Sequence, residues 1–322
     1  MHRILCSAAI RNQHTLAGLL DVEFVGCIPA NAALAWGRKP SAQRAERLAQ
    51  KFGLAVLRAE DGFLRSFGPG SEFPALSAVL DTQGIYYDST GPSDLETLLA
   101  SDEDLLADPT HIDAAITMLI NNQLSKYNHA PNVKLSISET ADEAVLVIDQ
   151  TYGDMSVQFG KANQQTFTHM LQAAIDENPG AQIWIKTHPE VSSGSKRGYL
   201  SQVQARALPK GGQLRLLREL ANPIGLLQQV NKVYVATSGM GFEALLCAKP
   251  VRCFGLPWYA GWGVTEDEQY CPRRTRTRSI QELFAAAYLR YTRYLHPVTH
   301  KQGSIFDVMT WLIRQRQMAG LA

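Results

Sequence analysis

Cysteine is scarce and follows no pairing pattern: Cys6, Cys27, Cys247, Cys253 and Cys271 make an odd number with no C-x-x-C pair. That excludes a disulfide framework and a thiolate zinc site, leaving reduced, structural thiols. Long apolar runs are missing too. None reaches the roughly 18 residues that a bilayer-spanning helix needs, and the amino end, MHRILCSAAIRNQHT, lacks the core and cleavage site of a secretory signal. The expected location is therefore the cytoplasm. Nor does either sign of charge dominate. With 31 Lys and Arg against 30 Asp and Glu, the formal net charge of +1 argues against whole-chain attraction to nucleic acid or to an acidic membrane. The densest basic run, Arg273, Arg274, Arg276 and Arg278, lies beside Glu266, Asp267 and Glu268 and reads as a solvated loop. Internal repeats and low-complexity segments are absent.

What is present is a chain of 322 residues, 45% hydrophobic and 19% charged, which fits a folded protein of about two ordinary domains. Short apolar, β-branched runs alternate with amphipathic stretches, the pattern of βα units around parallel sheets, so the fold class is α/β. In the first half the pattern predicts strands over 22–25, 33–36, 55–58 and 85–87, and helices over 41–52, 92–100 and 109–124. The polar stretch 128–143 reads as an inter-domain connection. Alternation then restarts with strands over 144–148, 182–187, 232–236 and 250–254 and helices over 164–177, 223–230 and 239–247. Two long helical patterns, 280–294 and 304–318, finish the chain.

Five segments carry chemistry. In VYVATSGMGFEALLCAKPV a buried strand ends at Ser238, turns through Gly239 and opens a helix containing Glu243; such a turn aims backbone N–H groups at an anion, and Glu243 is placed for a ribose hydroxyl. IWIKTHPEV sets Lys186 and His188 at a strand's carboxyl end, where open α/β sheets bind ligands, with Lys196 nearby in sequence. VLVIDQTYGDMSVQFG delivers Asp149, Gln150 and Asp154 to a loop, where a carboxylate serves as a nucleophile at an anomeric carbon or as a loop cap. RAEDGFLRSFGPG concentrates Glu60, Asp61, Arg65 and Ser66: Arg65 suits a carboxylate or an internal ion pair, and either acid suits proton exchange. FGLPWYAGWG brings Trp258, Tyr259 and Trp262, which either stack on a ligand or anchor a long loop.

In this order, WGRKPSAQ, EDGFLRSFG, GIYYD, LSKYN, DQTYGDMS, KTHPE, TSGMGFEALLCAKPV, CFGLPWYAGWG and LFAAAYLRY resemble the β-Kdo transferase family of capsule biosynthesis over nearly the entire chain. KpsC-type enzymes of this family carry two such modules in tandem; the DQTYGDMSVQFG form is similar to the amino-terminal one, and this chain is one module long. The resemblance implies a GT-B-like fold of two Rossmann-like lobes facing a central cleft: an acceptor-side lobe over 1–140, a CMP-sugar lobe over 141–278, and terminal helices over 279–322 that pack back on the first lobe. It implies CMP-β-Kdo as donor, no metal or other cofactor, and no nucleic-acid partner. The implied acceptor is a Kdo-terminated, phosphatidylglycerol-type glycolipid, extended into a poly-Kdo linker by a peripheral protein at the inner face of the cytoplasmic membrane. A second Kdo transferase module or a capsule export complex is the implied protein partner. The configuration would be retained through a covalent adduct on Asp154, with Lys186, His188, Ser238, Gly239 and Glu243 on the donor nucleotide and Glu60 or Asp61 as acid/base. Arg65, Ser66, Gln150, Trp258 and Tyr259 would serve the sugar carboxylate or the acceptor. The rival readings are an inverting nucleotide-sugar transferase or epimerase, and a non-catalytic module that binds a capsule intermediate.

Overall fold

The computed structural model describes residues 2–12, 14–70, 72–139, 141, 143–192 and 194–321. The chain forms two compact units, one of Met1–His129 with Gln281–Ala322 and the other of Ala130–Ile280. The expected boundary near residue 140 therefore moves back to 129/130. Residues after 130 lie along the second unit because its glutamines bind them: Gln182 Nε2 donates to Ser136 O (2.9 Å), Ser138 N donates to Gln182 Oε1 (2.8 Å), and Gln229 Nε2 donates to Val133 O (2.8 Å).

In the first unit, strands β1 (His2–Leu5), β2 (Val22–Val25), β3 (Ala32–Trp36) and β4 (Ala55–Asp61) run parallel in the order β2-β1-β3-β4, and β5 (Ser77–Asp81) joins β4 antiparallel. The helix Ala42–Phe52 ends because Gly53 takes the left-handed conformation (φ 64°) and returns its N–H to Ala49 O. Leu16, Leu19, Leu20 and Leu34 fill one face of the sheet and Leu5, Ala33 and Ala49 the other. The strand expected over 85–87 is a turn. Asp81 accepts from the N–H groups of Gln83 (2.9 Å) and Gly84 (2.7 Å) and bends the chain, while the unanticipated β5 occupies the sheet.

The second unit holds β6 (Ala144–Ile148), β7 (Gln182–Lys186), β8 (Arg206–Ala207), β9 (Gln213–Leu217), β10 (Lys232–Val235), β11 (Val251–Cys253) and β12 (Glu266–Asp267), in the order β12-β11-β10-β6-β7-β9-β8. All pairs are parallel except β8 with β9. Every residue of β6 and β7 is buried, as continuous apolar runs in a doubly covered sheet should be. Strand order reverses between β6 and β10. Such a reversal opens a crevice beyond the strands' carboxyl ends, the usual ligand position in open α/β sheets.

The chain then returns to the first unit through the helix Ile280–Phe284, a π-helix Ala285–Tyr291, β13 (Thr292–Leu295), β14 (Gln302–Gly303) and the helix Ile305–Met318. The helix expected over 280–294 is thus cut short, because β13 joins the first sheet antiparallel to β5. Tyr291 fixes the junction by donating to the buried Asp81 carboxylate (2.7 Å). The last helix begins where expected, with Ser304 and Asp307 forming a capping box.

Candidate active site

At the reversal point Gln150 ties β6 to β10. Its Oε1 accepts from Thr237 N (3.0 Å), and its Nε2 donates to Thr237 Oγ1 (3.1 Å) and Ser156 Oγ (3.2 Å). Gln150 is therefore a brace of the loop rather than an open ligand group. Gly160 and Gly255 allow this crossing, since a Cβ at either would stand 2.5 or 2.8 Å from Thr237 Cγ2. Asp154 begins the Met155–Phe159 helix, with Oδ1 accepting from Ser156 N (2.9 Å) and Oδ2 making no hydrogen bond among the described residues.

His188 follows β7 and is 41% exposed at its side chain. Its Nδ1 accepts from Glu190 N (3.2 Å), so in the neutral ring the proton sits on Nε2, ready to donate to an oxyanion. Burial pushes its pKa below the usual histidine value, against the opposing pull of Glu190 and Asp154. Lys186 is buried. Its ammonium donates to Thr187 O (2.8 Å) and Glu219 O (3.2 Å), and desolvation lowers its pKa to about 8. Lys196 instead pairs with Glu190 at the surface (3.0 Å).

After β10, Ser238 Oγ accepts from Met240 N (3.3 Å), and Gly239 is exposed with open space where a Cβ would stand. Glu243 lies buried in the helix that follows. The aromatic loop settles its open alternative as an anchor. Trp258, Tyr259 and Trp262 are 5%, 0% and 0% exposed, leaving no ring face for a sugar, and Tyr259 donates its hydroxyl to Ser238 O (2.5 Å). The basic run is also not a solvated loop throughout: Arg274 and Arg278 are buried, and Arg274 Nη1 staples the aromatic loop through Pro257 O (2.6 Å) and Ala260 O (2.8 Å).

In the first unit β4 presents Glu60 and Asp61. Arg65 Nε donates to Asp61 (2.8 Å), and its Nη1 to Ser66 Oγ (2.7 Å) and Phe73 O (2.9 Å). The internal ion pair is thus the role the structure gives Arg65, and Ser66 is 1% exposed beneath it, donating to Gly68 O (2.8 Å). Arg65 thus already uses Nε and Nη1 within the protein, and Ser66 is closed to solvent. Glu60 has no cation at ion-pair distance among the described residues. Burial raises its pKa above the usual carboxylate value, opposed by the charge of Lys126, a residue that sequence reasoning did not single out. The two acids thus differ in environment: Asp61 is clamped by Arg65, whereas Glu60 is the carboxyl whose proton affinity burial raises.

Sequence reasoning also passed over Tyr152, which shares the loop of Asp154, and Arg197 and Tyr199, whose backbone pairs with that loop. Among the described residues no group of three or more His, Cys, Asp or Glu is placed to hold a metal ion, and no helix is long and apolar enough to cross a membrane.

A profile of the family described as "Capsule polysaccharide biosynthesis protein" matches residues 31–132 and 107–294. The chain belongs to this family. It is 47% identical over 294 residues to the capsule polysaccharide modification protein LipA of Neisseria meningitidis serogroup B, covering 88% of this chain and 41% of LipA. It therefore spans about two fifths of that relative's length. Among solved structures, the β-Kdo 2,4 transferase of Thermosulfurimonas dismutans KpsC superposes with a TM-score of 0.88 at 42% identity, covering 97% of this chain and 98% of that one. The β-Kdo 2,7 transferase of the same KpsC gives 0.71 at 27% identity over 98% of this chain and 100% of that one. The capsule family member thus has a GT-B-like α/β fold built on two sheets.

Proposed function

We propose that the chain is a retaining β-Kdo transferase that moves Kdo from CMP-β-Kdo to a Kdo-terminated glycolipid during capsule synthesis. The observation that carries this reading is the superposition on the KpsC 2,4 transferase over nearly the full length of both chains. Its higher identity and TM-score relative to the 2,7 transferase favour formation of the 2,4 bond. The geometry at β6, β7 and β10 supports the chemistry. In the first step a carboxylate oxygen of Asp154 attacks the anomeric carbon, the bond from that carbon to the phosphate oxygen breaks, and CMP leaves with the electron pair. His188 Nε2 and the Ser238–Gly239 turn hold the phosphate, so that one phosphodiester is met by a few fixed donors and the chemistry calls for no metal. In the second step the acceptor hydroxyl attacks the same carbon, its proton passes to Glu60, and the bond to Asp154 breaks.

CMP-Kdo and a phosphatidylglycerol-type glycolipid are the partners in this reading, which puts the protein at the cytoplasmic membrane face. A second Kdo transferase module, of the kind KpsC contains, or a capsule export complex would share the pathway. Intact-protein mass spectrometry with CMP-Kdo, with and without a Kdo-terminated acceptor, tests it. The expected result is a one-Kdo adduct mapped to Asp154 that disappears when acceptor is added. A folded chain that binds CMP yet forms neither adduct nor product overturns it.

A further inference from the structure

Residues 197–200 lie antiparallel along the loop that carries Asp154: Tyr152 N donates to Arg197 O (2.7 Å), Tyr199 N donates to Gln150 O (3.2 Å), and Thr151 bridges Gly198. Side chains alternate on such a segment, so Arg197 and Tyr199 share one side and Gly198 takes the other. There the Asp149 carboxylate leaves no room, since a Cβ on Gly198 would stand 2.2 Å from Asp149 Oδ2. On the shared side Tyr199 stacks on the core residue Phe167 with centroids 4.2 Å apart and planes 2° from parallel. Tyr152 leans on Tyr199 (5.2 Å), and the Arg197 guanidinium lies over Tyr152 (5.2 Å).

This column starts in the core and ends in an exposed cation. Tyr152 is 57% exposed, so core packing does not explain it. Among the described residues no carboxylate stands at ion-pair distance from Arg197. A planar guanidinium laid on a ring and lacking an acid has the geometry to take a carboxylate in two parallel hydrogen bonds. Arg65, the side chain expected to take the sugar carboxylate, is held by Asp61, Ser66 and Phe73.

We propose that Arg197, positioned by Tyr152, binds the carboxylate of the donor sugar acid, an inference that rests on the functional reading above. That carboxylate is bonded directly to the carbon that Asp154 attacks. Gripping it fixes the ring's rotation about the reacting centre, and neutralising it removes the repulsion between two approaching carboxylates.

The test uses the full chain with Arg197→Gln, Arg197→Lys and Tyr152→Leu, read as KM and kcat for CMP-Kdo and as the affinity for CMP alone. Arg197→Gln should raise the donor KM about tenfold or more while CMP affinity stays within about twofold, which also reports an intact fold. Arg197→Lys, with charge but no planar fork, should fall between, and Tyr152→Leu should follow the same direction with a smaller change. A donor KM unchanged in Arg197→Gln, or CMP affinity falling in parallel with it, overturns the proposal. No turnover by the wild-type chain overturns the functional reading and this proposal with it, whereas wild-type turnover matched by Arg197→Gln overturns this one alone.

Discussion

Two carboxylates adjacent in sequence on β4 differ in role because their neighbours differ. Asp61 is held by Arg65, and Glu60 is half-buried, with a proton affinity that desolvation raises. Glu60→Gln should therefore lower transfer by about two to four orders of magnitude with little change in CMP affinity. The acidic limb of the wild-type kcat/KM profile should lie above the ordinary carboxylate range and vanish in the variant. Asp149 makes a separate prediction about stability. Its Oδ1 accepts from Gln150 N (2.9 Å) and Leu200 N (3.1 Å), but its buried Oδ2 has no hydrogen-bond partner among the described residues, and burial raises its pKa from 3.8 to about 6. Because the folded state holds this proton more tightly than the unfolded chain, its stabilisation is fully present below about pH 4 and is lost as pH rises to about 6. The loss is about 3 kcal/mol at 1.36 kcal/mol per pKa unit. Urea titrations across that window should show Asp149→Asn with a flatter dependence than wild type. The positions of Asp154 and His188 after β6 and β7 were legible in the sequence because apolar runs mark those strand ends. Arg65 stayed open between a substrate carboxylate and an internal ion pair because a sequence shows a guanidinium but not its partner, although Asp61 stands four residues before it.

Glycine and tyrosine fix the element proposed to seat the donor phosphate. Gly241, in the helix Met240–Leu246, sits where a Cβ would stand 2.0 Å from the Tyr259 hydroxyl and 2.7 Å from Cζ. Alanine normally favours a helix over glycine by about 1 kcal/mol, but here the collision reverses the sign. Gly241→Ala should destabilise the protein by about 1–3 kcal/mol and weaken CMP binding, because Tyr259 holds the Ser238 carbonyl. Tyr259→Phe in the same chain removes the nearer clash, so a double-mutant cycle by urea unfolding should return a favourable coupling between the two changes. If the double variant loses the full sum of the single losses, the contact is not what fixes this glycine. Most of the second unit's elements were legible, since strands such as β6 and β7 are continuous apolar runs and the helix Gln164–Glu177 opens on an Asn163 capping box. The Thr292–Leu295 segment was not: AAAYLRY before it favours helix and forms one, and only pairing with a strand more than two hundred residues earlier turns Thr292–Leu295 into β13.

That long-range pairing completes the sheet of the first unit, and it was invisible to any local pattern. β13 covers the edge of β5, and the helix Ile305–Met318 buries Ile305, Val308, Met309 and Leu312. From the same helix Arg316, 2% exposed, donates to Asn128 O (2.9 Å). Asn128 in turn donates through Nδ2 to Ser66 O (2.9 Å) and through its backbone N–H to Phe67 O (2.6 Å), so the chain's last helix braces the loop next to Glu60. Deleting residues 281–322 removes the strand, the apolar face and the brace together. An uncovered β5 edge then offers a row of unpaired backbone groups to other chains. The second unit keeps its own sheet and core without those residues. Calorimetry of the shortened chain should therefore lose the transition of the first unit and keep that of the second, and CMP titration should give an affinity within a fewfold of the full chain while transfer is absent. Arg316→Met isolates the brace from the strand: it should leave both transitions, lower the first by about 1–3 kcal/mol through the unpaired Asn128 carbonyl, and reduce kcat without changing CMP affinity. Retention of the first transition in the deletion would show instead that β1–β5 form a self-sufficient sheet and that the returning segment serves only to position the Glu60 loop.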